Sequence, residues 1–207
     1  MWDFLFSSKT KKSKESKDLK ESTESTESTE STESKIHFSY DQIDKSVVSL
    51  YNKIKSKEQE LKIAVDCIIV IGTGGWVPGK KMKTLFKDKL LLESVTLESY
   101  TLENVQNRVI AKKQWLSQDF INQLEGKVVL IIDEINDTCC TLAFLTQELK
   151  EYKPAKIIVG VLHDKKRAKL DKLSEDIIYI ANEMVDDKWI VYPWECEDID
   201  EHNKLVK

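Results

Sequence analysis

The chain has 207 residues, with 32 Lys and Arg against 36 Asp and Glu and a formal net charge of −4. That length supports one domain whose core needs no disulfides, and the mildly acidic balance argues against nucleic acid as a partner, which calls for a basic face. The four cysteines (Cys67, Cys139, Cys140 and Cys196) have neither disulfide-framework nor zinc-ligand spacing. No secretory apolar segment and no apolar run near the ~20 residues of a membrane span is present. The expectation is a soluble protein of a reducing compartment, the cytoplasm, with no membrane partner.

In chain order, the short apolar start MWDFLF is followed by the lysine-rich KTKKSKESKDLK and then by ESTESTESTESTES, a period-three repeat without an apolar residue. Such a segment buries too little surface to offset its ordering entropy, so residues 1–35 are predicted to be a disordered low-complexity tail. The globular domain is predicted over 36–207. SYDQIDKSVVSLYNKIK places Ile43, Val47, Leu50 and Ile54 at helical spacing. AVDCIIVIG is a short β-branched run, which predicts a strand buried on both faces. TGGWVPGKKMKTLF predicts a helix, LLLESVTLESY a strand, and VQNRVIAKKQWL is ambiguous. KVVLIIDEI is the strongest strand pattern, TLAFLTQELKEY predicts a helix ending before Pro154, and AKIIVGVLH and DIIYIA predict two more strands. Apolar strands alternating with helices imply an α/β fold with a mostly parallel central sheet flanked by helices. Ligands in such sheets sit at the carboxyl ends of the strands.

Two strand ends carry chemistry. After the first lies Gly72-Thr73-Gly74-Gly75, where glycines let the backbone approach an anion and a helix N-terminus follows; a flexible strand–helix connection is the plain alternative. No Walker-type loop is present. After VVLII lies Asp133-Glu134-Ile135-Asn136-Asp137-Thr138-Cys139-Cys140-Thr141. Adjacent carboxylates at a strand end are costly unless they meet a metal, sugar hydroxyls or solvent. Thr138 and Thr141 have the hydroxyls and backbone N–H groups to hold a phosphate at the next helix start, although an Asp/Thr helix cap would look the same.

The pairing of these two turns resembles the type I phosphoribosyltransferases. In that family the acidic turn binds the ribose 5-phosphate portion of phosphoribosyl pyrophosphate, and the Gly-Gly turn cradles its pyrophosphate. Ser99-Tyr100 resembles the Ser-Tyr pair in the mobile catalytic loop of the 6-oxopurine subgroup. Lys165 matches a lysine that meets the purine 6-oxo group. DDKWIVYPWECEDID resembles the base-binding hood, about residues 183–207 here. The motifs run in family order over roughly 36–207, with DKW and YPW resembling the xanthine-guanine and fungal xanthine enzymes in particular.

The resemblance implies the family's fold, a homodimer, and transfer of ribose 5-phosphate to xanthine, hypoxanthine or guanine with release of pyrophosphate. It implies Mg2+ held by Asp133, Glu134 and Glu195, and catalysis by Asp137 as base with Ser99 and Tyr100 closing over the reactants. Phosphoribosyl pyrophosphate would meet Thr73, Gly74, Gly75, Asp133, Glu134, Asp137, Thr138, Cys139, Cys140 and Thr141. The purine would stack on Trp189 and meet Lys165 and the backbone around Ile190. The rival reading is a non-catalytic sensor of phosphoribosyl pyrophosphate or nucleotide on the same fold.

Three residues depart from the family pattern. Cys139 replaces a glycine, so the turn is either right-handed or carries a left-handed penalty of ~1–2 kcal/mol. Thr73 replaces the basic residue beside the glycine pair, which assigns neutralisation of pyrophosphate to Lys112 or Lys113. Glu134 stands where Asp is common. A cysteine nucleophile of the phosphatase kind is not supported, because the only arginines are Arg108 and Arg167. Lys166 and Arg167 are expected to face solvent, Trp194 to be a core aromatic, and His37 and His163 to be plain surface or strand-end residues.

Overall fold

Ile43, Val47, Leu50 and Ile54 form the buried stripe of one helix, which packs on one face of a six-stranded sheet in the computed structural model. The structure describes residues 35–87, 89–101 and 108–207. Glu33–Lys207 is one compact unit, and the predicted tail lies, through residue 34, outside the described residues. Among the described residues no helix is long and apolar enough to cross a membrane.

The elements are β1 (Ile36–His37), α1 (Tyr40–Leu61), β2 (Cys67–Gly72), α2 (Trp76–Leu85), β3 (Leu91–Thr101), β4 (Arg108–Gln114), α3 (Gln118–Ile121), β5 (Val128–Asn136), α4 (Cys140–Lys150), β6 (Lys156–Lys165), β7 (Ile178–Val185), β8 (Ile190–Val191) and α5 (Ile199–Leu205). The main sheet has the order β4-β3-β2-β5-β6-β7. All its pairings are parallel except β3 with β4. The ambiguous VQNRVIAKKQWL stretch is thus largely a strand. Its pairing with β3 carries a bulge: Thr96 pairs with Gln114 and Leu97 with Lys112, which leaves Lys113 as the extra residue of β4.

The continuous apolar runs are explained by what lies on each side. In β2, Cys67, Ile69 and Ile71 join β5 residues Val129 and Ile131 beneath Leu142, Leu145 and Leu149 of α4. The alternate residues Ile68, Val70, Leu130 and Ile132 face α1 and Met82 of α2. Side chains alternate along a strand, so covering both faces removes every polar position from the interior of the run. α1 is set at its start by a capping box: Gln42 N donates to Ser39 Oγ (3.2 Å), and Ser39 N donates to Gln42 Oε1 (2.8 Å).

Sequence patterning carries no sign of β1, β8 or α5, the first two of which are only two residues long. β1 pairs with β8 in parallel, and His202 of α5 lies with its Nε2 2.9 Å from the Phe38 carbonyl. β1 and β8 thus form a two-stranded sheet distinct from the main one, while residues 183–185 belong to β7 of the main sheet.

His163 connects the small sheet to the main one. It is fully buried in β6, its ring stacks on Phe38 with centroids 4.2 Å apart, and Nδ1 lies 2.8 Å from the Tyr192 hydroxyl. That hydroxyl donates to the Glu134 carbonyl at 3.1 Å, so its oxygen accepts from His163 Nδ1–H. Nε2 then carries the lone pair, buried and without a hydrogen-bond partner. Burial disfavours a second proton there and pushes His163 down from 6.5 to about 4.

A stability effect follows. The unfolded chain takes up this proton before the folded one does as pH falls, so the folded state loses ground from about 6.5 down to about 4, by a total on the order of 3 kcal/mol. Denaturant unfolding measured across that window should show a slope in the native chain that is smaller in His163→Gln, which cannot titrate. Equal slopes would show that His163 is not the group responsible.

Candidate active site

β2 and β5 are neighbours, paired from Cys67–Val129 to Val70–Ile132, so the turns that follow them lie side by side at the carboxyl edge. Between them is a cleft of about 390 Å³ whose walls include Thr73, Gly74, Asp133, Glu134 and the run from Asn136 to Cys139. Thr141, Trp194 and Glu195 also line it.

The glycine turn is built by contact. A Cβ on Gly75 would lie 2.6 Å from the Ile71 carbonyl oxygen and 2.8 Å from that of Ile132, both backbone atoms of the central strands. A Cβ on Gly74 would overlap the Glu134 carboxylate, with Oε1 at 2.0 Å. Gly75 therefore lets the turn sit on the sheet, and Gly74 lets the acid from the next strand lie across the turn. The Gly72–Thr73 peptide is cis.

The acidic pair is under strong electrostatic stress. Asp133 is buried, and desolvation, then the charge of Glu134, raises its carboxyl well above the usual range. Glu134 Oε2 is buried without a hydrogen-bond partner. Both conditions suit a cation or hydroxyl donors arriving from the cleft. Among the described residues no three His, Cys, Asp or Glu side chains converge as a metal-ion set, although Asp133, Glu134 and Glu195 share this cleft. Glu195 Oε2 accepts from Tyr192 N at 3.2 Å.

Cys139 resolves the question of the missing glycine. Its φ is 67°, the left-handed region, and it is the N-cap of α4. The turn thus keeps the conformation a glycine would adopt, at ~1–2 kcal/mol. Its side chain is buried in the core beside Leu142 and Leu145. Burial raises the thiol pKa, opposite to what a nucleophile needs.

Asp137 lies at the rim among charges. Its Oδ1 is 3.1 Å from Arg167 Nη1 and 3.7 Å from Lys165 Nζ, and both cations also face Asp187, at 3.5 Å and 3.9 Å. Arg167 is therefore not a purely solvent-facing residue. Trp194 lines the cleft and stacks on Tyr192 with centroids 4.7 Å apart and planes 5° from parallel, so it is a wall of the site as well as a packing residue. Trp189 is 63% exposed, and Ile190 is buried in β8. Neither is a cleft wall.

Other expected residues lie elsewhere. Ser99 is exposed in the β3–β4 hairpin, opposite Ile110. Tyr100 lies opposite Val109, and its side chain is outside the described residues, as are residues 102–107. Lys112 pairs with Glu148 and lies over the Trp115 ring at 4.3 Å, while Lys113 pairs with Glu98 at 2.7 Å. Neither lysine lines the cleft. Cys140, in the first turn of α4, is half-buried and is not a wall either. Arg167 and Asp187 had only a weak sequence signal, the basic run KKRAK after a strand and the DDK turn. Which of these charges converge depends on how two loops fold over one strand end.

The two glycines should respond differently to alanine. Gly75→Ala must displace backbone and should cost about 2 kcal/mol or more. Gly74→Ala displaces only a side-chain end, at roughly 1 kcal/mol or less, while moving the Glu134 carboxylate off the turn. Chemical denaturation of both variants checks this ordering, and equal stability losses would contradict the contacts described.

Comparison with known proteins is consistent with this geometry. Residues 39–199 match the phosphoribosyl transferase domain family. Xanthine phosphoribosyltransferase 1 of Saccharomyces cerevisiae is 30% identical over 203 residues, covering 84% of this chain and 95% of the yeast protein. A hypoxanthine-guanine phosphoribosyltransferase of Schizosaccharomyces pombe is 30% identical over 199 residues, covering 83% and 94%. Among solved structures, a hypothetical protein from Neisseria gonorrhoeae with bound ppGpp is 35% identical, with a TM-score of 0.74 over 84% of this chain and 96% of that one. A purine phosphoribosyltransferase from Pyrococcus horikoshii shares the fold at 22% identity, with a TM-score of 0.61 over 79% and 95%. With paired acids and an Asp-Thr-Cys turn, left-handed at Cys139, beside a glycine turn, and with these relatives, the chain belongs to the phosphoribosyltransferase family, in the 6-oxopurine subgroup of its type I members.

Proposed function

We propose that the protein transfers ribose 5-phosphate from phosphoribosyl pyrophosphate to a ring nitrogen of xanthine, hypoxanthine or guanine. The observation that carries this reading is the single cleft shared by the glycine turn and the acid-acid-x-x-Asp-Thr turn. The C1–O bond to pyrophosphate breaks with its electron pair leaving on pyrophosphate, and an N–C1 bond forms to the purine. Positive charge develops at C1, and Asp133 and Glu134 place negative charge beside it and hold the ribose hydroxyls. The purine N–H proton goes to Asp137. Because Arg167 and Lys165 both lie on its Oδ1, Oδ2 is the oxygen assigned to receive it. Lys165 would turn from Asp137 toward the purine 6-oxo group, and Trp189, exposed on the neighbouring loop, would stack on the ring. The Ser99-Tyr100 hairpin would close to exclude water.

A Mg2+ ion suits the unpartnered Glu134 oxygen and the stressed Asp133, because this ion commonly uses one or two carboxylates and fills its shell with water and substrate oxygens. When bound with the pyrophosphate it lowers the leaving group's charge burden. This reading also includes a homodimer and a cytoplasmic location, both on family resemblance.

Pyrophosphate release with Mg2+, phosphoribosyl pyrophosphate and each of xanthine, hypoxanthine, guanine and adenine tests the proposal; turnover is expected with 6-oxopurines and not adenine. Asp137→Asn should lower kcat about 100-fold or more in a folded variant, and Trp189→Ala should raise the purine KM about tenfold. Unchanged values would remove those residues from their roles.

The Neisseria relative's bound ppGpp supports a second ligand for the same cleft, a guanine nucleotide bearing pyrophosphate. It joins in one molecule the base and anion that the two substrates present separately. Inhibition by ppGpp competitive with phosphoribosyl pyrophosphate is expected. Binding of ppGpp with no turnover of any purine would instead establish the sensor reading.

A further inference from the structure

We infer that Lys169 is the positioning residue of the phosphate turn, acting from behind it; this rests on the phosphoribosyl reading of the cleft. Lys169 stands in the loop between β6 and β7 and is not a cleft wall. Its ammonium donates to three carbonyls, those of Asn136 (2.9 Å), Asp137 (2.9 Å) and Lys165 (3.0 Å). Asp164 Oδ1 lies 2.5 Å away as its counter-charge, outside hydrogen-bonding geometry because the three N–H groups go to the carbonyls. The next two residues extend the grip: the backbone N–H groups of Leu170 and Asp171 donate to the Thr138 carbonyl at 3.0 Å and 3.3 Å. The anchor is itself fixed, because Tyr179 donates to Asp164 Oδ2 (2.7 Å) and accepts from Asn136 Nδ2 (2.9 Å).

The consequence comes from peptide geometry. In a trans peptide the carbonyl of one residue and the N–H of the next point in opposite directions, and the cis peptide among the described residues is at Gly72–Thr73, not here. Holding the carbonyls of Asn136, Asp137 and Thr138 toward the Lys169 loop therefore turns the N–H groups of Asp137, Thr138 and Cys139 the other way. That way is the cleft, which these three residues line. Successive amides facing one side form an anion-binding nest, and here they lead directly into the N-terminus of α4. The left-handed φ of Cys139 belongs to the same arrangement. Because the ammonium's charge is met by Asp164, Lys169 acts by holding the turn's shape and need not touch the phosphate. Lys165 is held less dependently, since its carbonyl also accepts from Arg167 N at 2.8 Å.

The test is steady-state kinetics on the full chain, with unfolding and ribose 5-phosphate titration in parallel. Lys169→Met keeps the aliphatic stem and removes the donors. It should raise KM for phosphoribosyl pyrophosphate roughly tenfold or more and change the purine KM, at saturating co-substrate, by less than about threefold. Lys166→Met removes the same charge from the same loop and should behave as the native chain. Asp164→Asn keeps an oxygen for Tyr179 but discharges the anchor, and should shift the same KM in the same direction. If Lys169→Met is insoluble, Asp164→Asn decides. A folded variant with native KM for phosphoribosyl pyrophosphate, or equal losses for both substrates, overturns the inference. Should the native chain release no pyrophosphate, the functional reading fails separately. Ribose 5-phosphate affinity then decides, with equal binding to native and Lys169→Met protein counting against the clamp.

Discussion

The rest of the structure depends on β2, β5 and β6 being buried on both faces. With α1 and α2 against one side and α4 against the other, a polar side chain in the interior of these strands loses water and must find a partner within the protein, as His163 does in Tyr192. Polar chemistry is therefore displaced to the strand ends, where backbone groups leave the sheet and side chains regain access to solvent. Because the three strands are adjacent and parallel, their ends open on one edge. The glycine turn, the acidic turn and Lys165 become neighbours although they are far apart in the chain.

At that edge the molecule holds opposing charges in separate places. Asp133 and Glu134 sit on the inner wall, with the Asp133 carboxyl raised by burial and by its neighbour. Arg167 and Lys165 sit at the rim on Asp137 and Asp187. The inner acids call for a cation or hydroxyl donors, and the cleft they line is where such groups would enter. Close approach is possible because Gly74 and Gly75 carry no Cβ.

The segment around Tyr192 is tied to the same wall by a short chain of hydrogen bonds. His163 Nδ1, the Tyr192 hydroxyl and the Glu134 carbonyl are linked in sequence, and Trp194 stacks on Tyr192 while facing the cleft. Tyr192 and Trp194 are therefore packed onto the backbone of the acid pair, and the position of one bears on the position of the other.

The amino-acid sequence by itself determined the sheet and its chemistry. Two-sided burial leaves a continuous β-branched run, and acids or glycines directly after such runs have few structural uses. The strands and the two turns were legible for that reason, and the buried stripe Ile43–Ile54 of α1 from its helical spacing. Tertiary structure alone decided what depends on loops crossing strand ends: that Cys139 takes the left-handed conformation, that Arg167 reaches Asp137, that Lys169 grips the back of the turn, and that Lys112 and Lys113 are engaged by Glu148 and Glu98. Two-residue strands such as β1 and β8 carry no periodicity to read. The direction of a lysine side chain is set by the acceptors that fold around it, and those come from residues remote in sequence.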